Sequence, residues 1–250
     1  MEIGLELVAV LSGAFIGSVL GFIGAGGAMV TVPIFLYLFD FTPVAATTAA
    51  LAVVCLAALS GLIPRIKSKD VLIKEGSIIW ALGLITNIGF GLVVDKISDQ
   101  VILVGFSVVL IIAATSMLRS PILNKPEKRM SSWTLILLSL VIGAFTGLFG
   151  IGGGFLAIPV LVLFFNTPQH KAAGTSLLII TLNCLTALIA KNAIWGQINW
   201  SYPLIIAIAA VVTAQLSSRV ASRTPSVHLK RAFAFLLVAL AIFTLFTHGL

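Results

Sequence analysis

Gly21-Phe22-Ile23-Gly24-Ala25-Gly26-Gly27-Ala28, with Pro33 close behind, is the stretch whose reading decides the fold. It returns 126 residues later as Gly147-Leu148-Phe149-Gly150-Ile151-Gly152-Gly153-Gly154, again followed by a proline, Pro159. Each copy interrupts a long apolar run. Glycine costs about 1 kcal/mol relative to alanine inside a helix, so stretches this rich in it end one helix and begin another. Broken backbone at membrane depth has no water to bond its freed N–H and C=O groups and must face protein or a cavity. Two such breaks at matching places are how many transporters present half-helix amino ends to a substrate.

Composition supplies the membrane. Hydrophobic residues make up 60% of the 250-residue chain and charged residues 9%. Soluble domains carry roughly 25% charged residues, so this chain cannot cover a water-facing surface. Apolar stretches separated by charged loops indicate helices rather than barrel strands, which would alternate apolar and polar residues. The stretches lie at 5–23, 28–39, 44–63, 76–94 and 101–118, then at 132–149, 155–165, 171–190, 202–218 and 231–248. Most approach the ~20 residues needed to cross a bilayer. Those at 28–39 and 155–165 are too short and read as half-helices. The expected fold is an all-α polytopic membrane protein of about eight to ten helical segments, two of them half-helices after the Gly-rich breaks.

Basic residues set the orientation. Arg65, Lys67, Lys69 and Lys74 fill 64–75, Arg119, Lys125, Lys128 and Arg129 fill 119–131, and Arg219, Arg223, Lys230 and Arg231 form a third cluster. By the positive-inside rule these are cytoplasmic, and the poorer loops at 95–100 and 191–200 are external. The net charge of +7 is therefore an orientation signal and not a nucleic-acid footprint. The loop at 64–75 is inside while its counterpart at 191–200 is outside, so the halves cross in opposite senses as two inverted repeats, 1–118 and 132–250, joined by a cytoplasmic linker at 119–131. Both termini are then external, with residues 5–39 read as a hairpin returning to the side it left. Glu2 and Glu6 stand where a secretory signal would carry basic residues.

The chemistry on offer is neutral. A half-helix amino end bears partial positive charge and bare N–H groups suited to an anion, which nominates Gly24, Gly26, Gly27, Gly150, Gly152, Gly153 and Gly154. Thr48, Thr175 and Ser176 place hydroxyls on the first turns of the next helices, as anion donors or bonded back to helix carbonyls. Asn87 and Gln215, one residue out of register between the halves, are amides at membrane depth that need interior partners. Arg65, Lys191 and Arg219 border the segments and read as topology anchors ahead of the alternative, attraction of anions. The eight carboxylates and the three histidines, His170, His228 and His248, lie near segment ends or in loops, unlike the buried relays of proton and cation pumps. Cys55 and Cys184 sit in apolar helices as small hydrophobes. No metal-ligand spacing, nucleophile with a base, or P-loop is present, so neither cofactor nor metal is expected.

Both glycine-proline copies, Gly24-Ala25-Gly26-Gly27…Pro33 and Gly150-Ile151-Gly152-Gly153-Gly154…Pro159, lead into a Pro…Ala-x-Thr-(Ser/Ala) helix start. In this they resemble the TauE/SafE sulfite exporter family of membrane permeases, over essentially the whole chain. The resemblance implies a secondary transporter of a prokaryotic cytoplasmic membrane with about eight transmembrane helices, exporting sulfite or an organosulfonate such as sulfoacetate. The expected partners are a small anion, the lipid bilayer and protons as a candidate coupling ion. The rival readings are an uncoupled anion channel and a membrane-embedded enzyme or assembly factor.

Overall fold

The computed structural model describes residues 2–91, 99–119, 131–149 and 154–248, and every regular element there is helical. Chain order runs α1 (Glu2–Ile23), α2 (Gly27–Leu38), α3 (Pro43–Lys67), α4 (Ile73–Gly91), α5 (Asp99–Arg119), α6 (Ser132–Phe149), α7 (Gly154–Phe165), α8 (Gln169–Ala190), a 3₁₀ turn (Asn192–Gln197), α9 (Ser201–Arg223) and α10 (Ser226–His248). Among the described residues four helices, within α1, α3, α8 and α9, are long and apolar enough to cross a membrane. The protein is an all-α, multi-pass membrane protein.

Helix limits follow local chemistry. Proline at N1 supplies a preset φ, and the Thr42 hydroxyl accepts from the Ala45 N–H at 3.4 Å to start α3. The half-helices α2 and α7 have 12 residues each, about 18 Å. Both end the same way. Asp40 and Asn166 take left-handed φ of 52° and 53°, and the N–H of Phe41 and of Thr167 reaches back to the carbonyls of Phe35 and Leu161 at 3.0 and 3.1 Å. α3 outruns its apolar stretch and continues through Arg65 to Lys67. A left-handed Lys69 then brings the Asp70 N–H onto the Arg65 carbonyl at 2.8 Å, a Schellman closure.

Close packing runs along small residues. The faces of Gly13, Gly17 and Gly21 on α1 lie against Ile206, Ala210 and Ala214 of α9 in the same order, so these two helices run parallel. Gly143 of α6 meets Gly83 and Thr86 of α4 as Gly17 meets Ala210 and Thr213. α3 and α8, each the long helix after a half-helix, run antiparallel. Arg65 near the end of α3 bonds the His170 carbonyl at the start of α8, Cys55 faces Thr181 midway, and Lys191 beyond α8 donates to Thr47 in the first turns of α3. Gly21 and Gly61 also face each other, so the carboxyl ends of α1 and α3 lie together and α2 travels back along them. Leu7, Leu11, Phe15, Ile85, Ile88, Leu216 and Val220 are exposed, as suits surfaces whose solvent is hydrocarbon.

Membrane helices associate through van der Waals contact at small residues. A side chain at Gly17 or Gly143 meets backbone on the neighbouring helix. Gly17→Val and Gly143→Val are expected to lower the thermal unfolding temperature in detergent, by about 1–3 kcal/mol of overpacking or more. Gly89→Ala, with nothing within 4 Å of the new methyl group, should leave that temperature unchanged or raise it.

Candidate functional site

α1 ends when the Gly24 N–H bonds the Leu20 carbonyl at 2.8 Å. Gly24 and Gly26 then take φ of 84° and 87°, a region that side-chain-bearing residues enter only at a cost. Gly26 serves as the N-cap of α2 with no side chain to bond the first amides. A Cβ on Gly24 would stand 2.6 Å from the Ala173 carbonyl oxygen of α8, one on Gly26 would press on Leu236 of α10, and Gly27 lies against Leu20. Gly21 and residues 23–27 are all buried. The first break therefore faces protein and not lipid.

At the second break, Gly150, Gly152 and Gly153 lie outside the described residues. Gly154, which opens α7, is buried beside Ile180, and its carbonyl accepts the Ser176 hydroxyl at 2.6 Å. Ile180 is the twelfth of the 22 residues of α8, so α7 begins near the middle of that helix. Ala173 meets Gly24 and Ser176 meets Gly154, three residues apart, which is neighbouring positions on one helix face. Ile23 and Ala25 share a single apolar cluster with Leu156, Ala157, Ala172 and Ala173. Gly24 of the first break and Gly154 at the start of α7 both lie against α8, between Ala173 and Ile180.

The hydroxyls are fully buried, and their protons go to protein carbonyls. Thr48 donates to Val44 at 2.8 Å and Thr175 to Lys171 at 2.8 Å, while Thr175 also accepts the Leu72 N–H at 3.0 Å. Thr48 and Thr175 are also apart. Thr47 sits by Lys191, sixteen residues beyond Thr175, or about 24 Å along α8. The antiparallel register of α3 and α8 sends their first turns to opposite ends. Lys191 itself reaches Thr47 at 3.3 Å, and partial burial holds its ammonium below the usual lysine range. Asn87 and Gln215 are half-buried on α4 and α9. Asn87 follows Thr86, which bonds the Leu140 carbonyl of α6, and Gln215 lies between Val211 and Ser218, which are bonded to Ser60 and Gly61 of α3.

Arg65 departs from the topology-anchor reading. It is fully buried, and its terminal nitrogens donate to the carbonyls of Gly21 and Phe22 at 3.0 and 3.3 Å and of His170 at 3.0 Å. One guanidinium thus joins the end of α1, at the first break, to the start of α8. Asp70 is held nearby, bonded by the Ser68 hydroxyl at 2.7 Å and paired with His170 at 3.4 Å. Three other basic residues within a dozen positions hid Arg65 in a loop-charge pattern.

A profile of the sulfite exporter TauE/SafE family matches residues 9–244. The chain belongs to this family. It is 29% identical over 241 residues to a probable membrane transporter protein of Bacillus subtilis, covering 86% of this chain and 88% of that one. A probable membrane transporter protein of Xylella fastidiosa is 27% identical with 98% and 97% covered, and one of Methanocaldococcus jannaschii is 26% identical with 94% of each covered. The family and these full-length likenesses make this TauE/SafE protein a membrane transporter.

Ser176→Ala leaves the buried Gly154 carbonyl without its hydroxyl donor, at a cost of about 1–3 kcal/mol. Thermal unfolding of the purified transporter should show a lower midpoint than wild type, and a Ser176→Thr variant should recover most of the loss.

Proposed function

We propose that this transporter moves a small anion, sulfite or an organosulfonate such as sulfoacetate, outward across the cytoplasmic membrane by alternating access. The observation that carries the reading is that Gly24 of the first break and Gly154 at the start of α7 lie against one stretch of α8, with the first break turned inward. Amino ends of half-helices carry partial positive charge, and the first amides of a helix have no intrahelical partner. Gly26, Gly27 and Gly154, with Gly150, Gly152 and Gly153, are the backbone donors in this reading, while Gly24, whose N–H is held by the Leu20 carbonyl, makes the turn. Ser176 holds the Gly154 carbonyl in place, Thr175 holds Leu72 ahead of α4, and Thr48, Asn87 and Gln215 line the approaches along α3, α4 and α9 in this reading. The family's description as a sulfite exporter supports the substrate class and the outward direction.

Residues 1–118 and 132–250 act in this reading as inverted repeats joined by the cytoplasmic linker 119–131, with both termini external. Antiparallel α3 and α8, and the exchanged pairing of α1 with α9 and α6 with α4, support it. Rocking one half against the other alternates access to a fixed site.

Proteoliposomes loaded with sulfite or sulfoacetate test the proposal: flux above that of protein-free vesicles is expected. Absence of flux across a panel of sulfur oxyanions and sulfonates defeats it, and saturable flux driven by an imposed proton gradient separates a coupled carrier from a channel. Gly26→Val and Gly153→Val are expected to abolish flux while leaving membrane insertion intact.

A further inference from the structure

Corresponding landmarks of the two halves stand 126 residues apart. Asp40 and Asn166 take the left-handed φ that closes α2 and α7, and the Phe41 and Thr167 amides make the same return bonds. Thr42 and Pro168 are the N-caps of α3 and α8. Arg65 and Lys191 keep that spacing, each 23 residues after its N-cap, and each reaches the first turns of the other half's long helix. Arg65 donates to the carbonyl of His170, the second residue of α8, at 3.0 Å. Lys191 reaches the carbonyl of Val44, the second residue of α3, through the Thr47 hydroxyl, which accepts from Lys191 at 3.3 Å and donates to Val44 at 3.0 Å.

The protein closes round one of these contacts and not the other. At the Arg65 end the guanidinium is fully buried. Asp70 pairs with His170 at 3.4 Å, the Leu72 N–H bonds Thr175 at 3.0 Å, and the Asp70 carbonyl lies against Gly174, so the turn after α3 is tied to α8 at several points. At the Lys191 end the ammonium is partly exposed. Gly196, which stands where Asp70 stands in the first half, is exposed, and a Cβ there meets nothing within 4 Å. The helix starts agree: Gln169 is 3% exposed, whereas Pro43, its counterpart, is exposed. Matched residues in unlike surroundings are what one state of a rocking pair of repeats shows, and exchanging the two arrangements gives the opposite state. Arg65 bonds carbonyls of Gly21, Phe22 and His170, and water replaces such partners when the end opens, which keeps the contact reversible.

We infer that Arg65 and Lys191 are paired latches of the transport cycle, Arg65 closing the cytoplasmic end and Lys191 the external end, with the Arg65 latch shut and the Lys191 latch open here. The inference rests on the alternating-access reading and names the contacts that break and form in it.

Gln169→Cys and Gly196→Cys, each in a chain whose Cys55 and Cys184 are replaced by alanine, report the two ends through labelling of the purified protein with a water-soluble maleimide. With both latches intact, Gly196→Cys should react and Gln169→Cys should be protected. Arg65→Ala should raise the rate at Gln169→Cys and lower it at Gly196→Cys, by about tenfold for the lost charge-assisted bonds. Adding Lys191→Ala should reverse both shifts, and Arg65→Lys should stay near wild type. Lys191→Ala alone, at a partly exposed position, should slow labelling of Gln169→Cys and reduce flux, which keeps the test open if Arg65→Ala does not fold. Loosened packing gives a different pattern, with both rates rising and the second substitution adding to the first. Rates that rise together, ignore both substitutions, or are not reversed by Lys191→Ala overturn the latches. Sulfite flux without reciprocal labelling sinks the latches and leaves the transport reading standing. Reciprocal labelling without flux of any sulfur anion supports the latches and sinks the substrate reading alone.

Discussion

A helix end buried away from water leaves carbonyl oxygens with nothing to bond, and at the end of α1 the Arg65 guanidinium meets them. The last four carbonyls of any helix lack intrahelical partners, and hydrocarbon offers no water. Arg65 reaches across from α3 to Gly21 and Phe22 at the end of α1, and to His170 at the start of α8. Its positive charge also faces the negative end of the α1 dipole. Satisfying those carbonyls lets α1 end at Gly24 and lets left-handed glycines turn the chain into α2 without exposing bare backbone to lipid.

That contact depends in turn on where the long helices sit. Antiparallel α3 and α8 bring the last turns of one against the first turns of the other, which delivers Arg65 to His170 and Lys191 to Thr47. Glycines and alanines set the spacing. α1 lies on α9, and α6 on α4, at distances that admit no extra methyl group at Gly17 or Gly143. Shape complementarity of small residues is the available driving force where lipid is as apolar as the side chains.

The buried hydroxyls take a supporting part in this arrangement. Ser176 ties the start of α7 to α8, and Thr175 ties the approach to α4 to the same helix through the Leu72 N–H. Both spend their hydrogen bonds on backbone that leads into α4 and α7. Arg65 brings positive charge to the end of α1, with Asp70 and His170 paired nearby.

Segment positions, the two breaks and the short half-helices were legible in the chain, because membrane crossing needs a long apolar run and glycine with proline cannot continue one. Helix ends were less so: α3 runs four residues past its apolar stretch to Lys67, since a charged residue that finds buried partners does not stop a helix. Residue types near a segment end did not reveal which were buried. Gln169 stands beside His170 and Lys171 and reads as loop, yet it is 3% exposed. Arg65 reads as one basic loop residue among several, yet it is enclosed. Thr48 and Thr175 read as a pair and lie near opposite ends of α8. Hydrophobic length and backbone-breaking residues are local properties, and from them the sequence by itself determined a membrane-embedded helical chain, broken twice. Which polar groups meet depends on the register of α3 against α8 and on which helix lies beside which. Only the tertiary structure decided that, because contacts between residues more than a hundred positions apart leave no periodic trace along the chain.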